Sequence, residues 1–161
     1  MIKGLHHNAY RCRDSEETRR FYEDFLGLPL AAALRIGETK TGRQTDALHT
    51  FFAMDDGSFL AFFEVPGMPF EFKPQHDFDL HIALEVEREV LEPMMAKGKE
   101  HGIETRGISD HGFIESIYFR DPNGYVIELT AKRPGSPEQV NRASDARSLL
   151  DHWQKDKPQG S

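Results

Sequence analysis

In Ile117-Tyr118-Phe119-Arg120-Asp121-Pro122-Asn123-Gly124-Tyr125-Val126-Ile127-Glu128-Leu129, two runs rich in β-branched and aromatic residues flank a four-residue break. Asp, Pro and Gly occupy the first, second and fourth places of Asp121-Pro122-Asn123-Gly124, the places a type I turn favours, so the run reads as a hairpin. Glu128 falls inside its second strand, on the face of Val126 by alternation. A carboxylate among apolar strand residues is costly unless something neutralises it.

Working upstream, Ile103–Ile108 supplies a further strand. Arg88 to His101 reads as a helix stopped by Gly102, with Pro93 tolerable only near its first turn. Leu80–Glu87 is a strand, and Ile114–Phe119 and Tyr125–Ala131 are the two arms of the hairpin. The order is β-α-β-β-β. The first half repeats it: a strand over residues 4–13, then a helix begun by Asp14 with Glu17 completing a capping box. That helix runs through Thr18, Phe21, Tyr22 and Phe25 to Gly27. An extended stretch (Leu28 to Ile36) and a polar loop (Gly37 to Asp46) follow. Strands Leu48–Met54 and Ser58–Val65 are then joined by Asp55-Asp56-Gly57, which is hairpin-turn chemistry.

The expected fold is therefore α+β, two βαβββ modules with a C-terminal helix. Residues 1–133 form one domain, with module one over 1–66 and module two over 78–131, and a Pro/Gly-rich connector (Pro66 to Pro74) between them. Residues 134–161 form a helix and tail. Ser136-Pro137-Glu138 starts the helix, and Ala143, Ala146, Leu150 and Trp153 make an apolar stripe suited to docking on the domain or on a second subunit.

Composition narrows the function. The chain has 161 residues, too few for two ordinary domains. Its net charge of −7 argues against nucleic acid or an anionic membrane as partner. No apolar run is long enough to span a bilayer and no signal peptide is evident, so a cytoplasmic protein is expected. One cysteine excludes an internal disulfide and a thiolate zinc cluster, while 8 histidines are many for this length. A metal here would be held by imidazole and carboxylate.

Three strand residues are candidate ligands: His7, on the face of Ala9 and Arg11; His81, on the face of Ala83; and Glu128. Two imidazoles and one carboxylate converging on a cavity make an octahedral facial site with three open positions. Glu64, at the end of module one's last strand, is a fourth candidate, read as the counterpart of Glu128. For each the bland alternative is a satisfied structural residue or, for Glu64, a surface cap. His6 is read as structural. His49 opens a strand and is read the same way, with a cavity-facing role as the alternative. His111 lies in a loop, and His76, His101 and His152 are surface residues. Arg11 is read as a strand-edge salt bridge, or a partner for an anionic substrate group.

Gly4-Leu5-His6-His7, Asp14, Phe21-Tyr22, Leu26-Gly27-Leu28, Leu80-His81-Ile82-Ala83 and the hairpin resemble the vicinal oxygen chelate superfamily over residues 4–131. That superfamily includes glyoxalase, methylmalonyl-CoA epimerase, fosfomycin- and bleomycin-resistance proteins and extradiol dioxygenases. The resemblance implies modules curled around a metal cavity, with His7, His81 and Glu128 as ligands. His111, Tyr118, the Asp121–Gly124 turn and Glu128 together resemble the extradiol signature, in which the His and Tyr are catalytic and position a catecholate. Ser109 departs from it, and Gly57-Ser58 stands where those enzymes place another catalytic His.

The leading expectation is an Fe(II) extradiol-type ring-cleaving dioxygenase acting on a catechol-like small-molecule substrate, and a homodimer. Glu64, where such dioxygenases are expected to carry a small residue, favours the alternative. That is a glyoxalase- or epimerase-like isomerase or lyase with a His/Glu/His/Glu site for Ni(II), Co(II), Mn(II) or Zn(II). A non-catalytic drug-binding protein is the third reading.

Overall fold

A computed structural model describes residues 1–38, 41–42, 44–135 and 143–158. Asp14 begins the first helix as expected: its Oδ1 accepts from the Glu17 amide at 2.7 Å. Helix α1 (Ser15–Arg19) then widens into a π-type segment, Arg20–Phe25, a change of pitch that the periodic spacing did not reveal. Phe21, Tyr22 and Phe25 are buried along it.

The strands are β1 (Tyr10–Cys12), β2 (Leu30–Glu38), β3 (Gln44–Ala53), β4 (Phe59–Glu64), β5 (His81–Glu85), β6 (Thr105–Asp110), β7 (Ile114–Arg120) and β8 (Val126–Lys132). A short 3₁₀ turn, Arg88–Val90, leads into α2 (Leu91–Glu100), which places Pro93 in its first turn. The modules build two sheets of identical plan, β1-β4-β3-β2 and β5-β8-β7-β6. In each, the first strand runs parallel to the last and the remaining pairs are antiparallel. The first strand is shorter than the sequence suggests: before Tyr10, only a bridge between His7 and Phe59 carries it on.

One face of each sheet is packed. Tyr22, Phe52, Leu60, Phe62, Ile117, Phe119 and Ile127 share one continuous apolar cluster with the helices. Gly98 lets α2 approach β7 closely, since a Cβ there would lie 2.6 Å from the Phe119 ring. The Asp121–Gly124 turn is also part of this interior. Asp121 is 4% exposed and Asn123 2%. Tyr22 Oη donates to Asp121 Oδ2 at 2.8 Å, and the Arg13 amide donates to Asn123 Oδ1 at 2.8 Å. Tyr125 Oη donates to the Arg11 carbonyl at 2.7 Å. The hairpin turn of module two thus clamps the first strand and helix of module one.

The other face of each sheet is open. Along β5, His81, Ala83 and Glu85 are exposed, and β2 is exposed at all but one position. The C-terminal helix α3 (Ala143–Asp156) is present, but Leu149, Leu150 and Trp153 are 63%, 49% and 59% exposed. Among the described residues, Leu150 and Trp153 of its stripe do not make the expected docking within this chain. The helix start expected at Ser136 lies outside the described residues. No described helix is long and apolar enough to cross a membrane.

Candidate metal centre

Strand register places each candidate. In module two, β5 runs beside β8 with Ala83 opposite Glu128, and Tyr118 of β7 faces Glu128 from the other side. Paired and alternate positions share a face, so His81, Glu128 and Tyr118 all stand on the open side. His81 Nδ1 lies 2.7 Å from the Asp77 carbonyl. A carbonyl only accepts, so Nδ1 carries a proton, and the neutral tautomer this contact selects has its lone pair on Nε2. Nε2 sits 3.5 Å from Glu128 Oε2. A backbone carbonyl that orients a histidine in this way is the usual support behind a metal ligand.

Glu128 is 6% exposed. Tyr118 Oη donates to its Oε1 at 3.3 Å, and His111 Nε2 lies 2.9 Å from the same hydroxyl. With the phenolic proton directed at Glu128, His111 Nε2–H is the donor to Tyr118. Burial, followed by the nearby Glu128 charge, raises the Tyr118 phenol above its ordinary value and keeps that proton in place. Arg106 lies 5.1 Å over the Tyr118 ring and donates to both Asp77 oxygens. His111, Tyr118, Glu128 and His81 therefore form one connected line.

Module one carries His7 on its open face, with its ring 5.5 Å from Phe51 and 6.0 Å from His49. His6 and His7 meet through their Nδ1 atoms at 2.8 Å. Arg11 makes no salt bridge among the described residues: it donates to the Val65 and Met68 carbonyls and stacks on Phe70.

The expected equivalence of Glu64 and Glu128 does not hold. His81 is registered with Val126, two residues before Glu128, whereas His7 is registered with Phe59, two residues before Ala61. Ala61 is the counterpart of Glu128, as its pairing with Phe51 confirms against that of Glu128 with Tyr118. Glu64 lies three residues further on, so its side chain belongs to the opposite face. Its Oε2 accepts from the Ser15 amide at 2.7 Å, at the start of α1.

Among the described residues, no three His, Cys, Asp or Glu side chains come together at metal-binding spacing within one chain. His7 belongs to one open sheet face and the His81–Glu128 pair to another. A cavity of about 460 Å³ lined by Leu26, Leu28, Met54, Leu84, Val86 and Met94 has none of His7, His81 and Glu128 in its wall. Sequence reasoning overlooked Ala61, Asp77 and Arg106.

The sequence matches the Glyoxalase/Bleomycin resistance protein/Dioxygenase superfamily over residues 4–129, and the protein belongs to that superfamily. No curated protein matches it. Its fold is shared by the glyoxylase/bleomycin resistance protein/dioxygenase domain from Frankia sp. EAN1pec, at 19% identity over 83% of this chain and 100% of that one, TM-score 0.64. A glyoxalase/dioxygenase from Nostoc punctiforme is similar at 24% identity over 81% and 92%, TM-score 0.62. The fosfomycin resistance protein FosX from Listeria monocytogenes is similar at 21% identity over 83% and 97%, TM-score 0.62.

Proposed function

We propose that the protein is an Fe(II)-dependent extradiol-type dioxygenase that opens a catechol-like aromatic ring. The observation that carries this reading is the line from His111 through Tyr118 to Glu128, beside an orienting contact on His81. Ala61 at the fourth position supports it further, because a two-histidine, one-carboxylate set leaves three coordination positions open and suits non-haem iron. A four-ligand His/Glu/His/Glu site would need a carboxylate where Ala61 stands.

The donors fit a divalent metal: two imidazoles, His81 with its tautomer already set, and one buried carboxylate. FosX is described in complex with Mn(II) and sulfate ion. For this chain the open set favours Fe(II), which supplies a place for both catechol oxygens and an electron route to dioxygen. The chain's own residues do the rest. Tyr118 holds a proton at Oη beside Glu128, and His111 holds one at Nε2 within reach of that hydroxyl. Phe51 and Phe63 line the module-one face with apolar surface that suits an aromatic ring and excludes water.

A homodimer completes this site. His7 and the His81–Glu128 pair occupy open faces of separate sheets, so a two-fold-related copy brings His7 of one protomer to the pair of the other, twice. The experiment is anaerobic Fe(II) reconstitution followed by catechols under oxygen. Oxygen uptake with a yellow ring-opened product is expected. Stoichiometric iron with no uptake across a catechol panel overturns the dioxygenase reading.

A further inference from the structure

His49 is 6% exposed, yet it is not a core residue. It pairs with Phe63 across β3 and β4, which puts it on the open face of sheet one with Phe51, Ala61 and His7. Its ring stacks on Phe63 at 3.7 Å between centroids and 12° between planes, and the Phe51 ring lies 4.1 Å away, inclined by 51°. His49 Nδ1 lies 3.0 Å from the Phe62 carbonyl. As for His81, that carbonyl requires the proton on Nδ1. In the neutral ring Nε2 is then unprotonated, and among the described residues the one hydrogen bond seen for this ring is at Nδ1. These ring contacts and a hydrogen bond at one edge hold a single orientation. A side chain needed only for packing on this apolar face would be served as well by phenylalanine.

We infer that His49 is a substrate-positioning residue: the His49–Phe63–Phe51 platform takes a planar aromatic ring, and Nε2 accepts a hydrogen bond from a ring hydroxyl. The role uses a fixed tautomer and needs no change of protonation. The inference deepens the dioxygenase reading, from which it takes the place of the substrate beside His7. That site lies 6.0 Å away between ring centroids, within the span of one aromatic ring and its substituent.

The test compares two chromophoric ligands titrated into full-length protein loaded with redox-silent Zn(II): 4-nitrocatechol, whose hydroxyl meta to the nitro group stays protonated as the donor when the para hydroxyl ionises, and its monomethyl ether 4-nitroguaiacol, in which that meta oxygen is methylated. His49→Phe keeps the stack and removes the acceptor. It is expected to weaken 4-nitrocatechol about 10-fold, the worth of one hydrogen bond, and 4-nitroguaiacol by less than about 2-fold. His49→Gln, which loses the stack but keeps an acceptor, should weaken both ligands while preserving the preference for 4-nitrocatechol. Equal losses for both ligands in both variants, or no loss in either, overturn the inference. Failure of the dioxygenase reading is seen separately, as absent oxygen uptake by the iron-loaded protein while the ligand preference persists.

Discussion

Ala61 and Glu128 hold the same position in two sheets of one plan, two residues beyond the strand partners of His7 and His81 respectively. The second sheet carries a carboxylate there and the first a methyl group, so the repeat keeps its geometry while its chemistry is divided. Glu64, on the other face, binds the Ser15 amide and belongs to the start of α1. Glu64→Gln keeps an acceptor for that amide and removes only the charge, so it should leave metal stoichiometry unchanged and cost less than about 1 kcal/mol of stability, the worth of a carboxylate near a helix N-terminus. Glu128→Gln should remove tight metal binding. Metal analysis after dialysis, with urea unfolding, checks both; loss of metal in Glu64→Gln would restore the four-ligand alternative.

Tyr118 joins His111 to Glu128 through a single oxygen. Tyr118→Phe keeps the ring under Arg106 and deletes only that link. Turnover should fall about 100-fold or more, the usual scale for losing a positioned proton carrier. Metal content should stay at the wild-type value, and stability should shift by no more than about 1 kcal/mol. Steady-state oxygen uptake beside metal analysis separates these outcomes.

Much of this was legible in the sequence because it rests on local rules. The Asp14 cap, the Asp121–Gly124 turn and the alternation around Glu128 are each settled by neighbouring residues, and the βαβββ order follows from them. The Glu64 assignment failed because register is a relation between strands: a three-residue offset is invisible to spacing and reverses the face. The π-type segment after Arg19 was hidden because Phe21, Tyr22 and Phe25 suit either helical pitch. Asp77 acts through its backbone carbonyl, which any residue type provides. The division of the candidate ligands between two open faces depends on how the modules pack, and no motif encodes that.

Asp121 marks the same limit, since its turn chemistry was plain but its burial was not. Its Oδ1 accepts from the Asn123 and Tyr125 amides at 2.9 and 2.8 Å, and Oδ2 from Tyr22 Oη. Asp121→Ala leaves these donors unpaired in the interior and should cost about 3 kcal/mol, measured by urea unfolding.

Desolvation raises the Asp121 carboxyl above its ordinary 3.8, against the opposing pull of those hydrogen bonds. The folded state thus binds its proton more tightly than the unfolded chain does. The group's contribution to stability is fully present below the unfolded value and is lost as pH rises through the raised folded one. Wild type should therefore lose stability relative to Asp121→Asn on going from about pH 4 to pH 7. Melting temperatures of both proteins across that range give the difference directly, and a flat difference would mean that the carboxyl titrates alike in both states.

His7 on one open face and the His81–Glu128 pair on the other make a prediction that only a shared site can satisfy. His7→Ala and Glu128→Ala should each be inactive alone, since each removes one ligand from every site of its own homodimer. Mixed under conditions that exchange subunits, half of the dimers pair the two variants. In such a dimer one site carries both substitutions and the other carries neither. Oxygen uptake should then recover to about a quarter of the wild-type value, with one tightly held metal ion per mixed dimer. A site built within a single chain would stay inactive at every mixing ratio, because no chain in the mixture holds all three ligands.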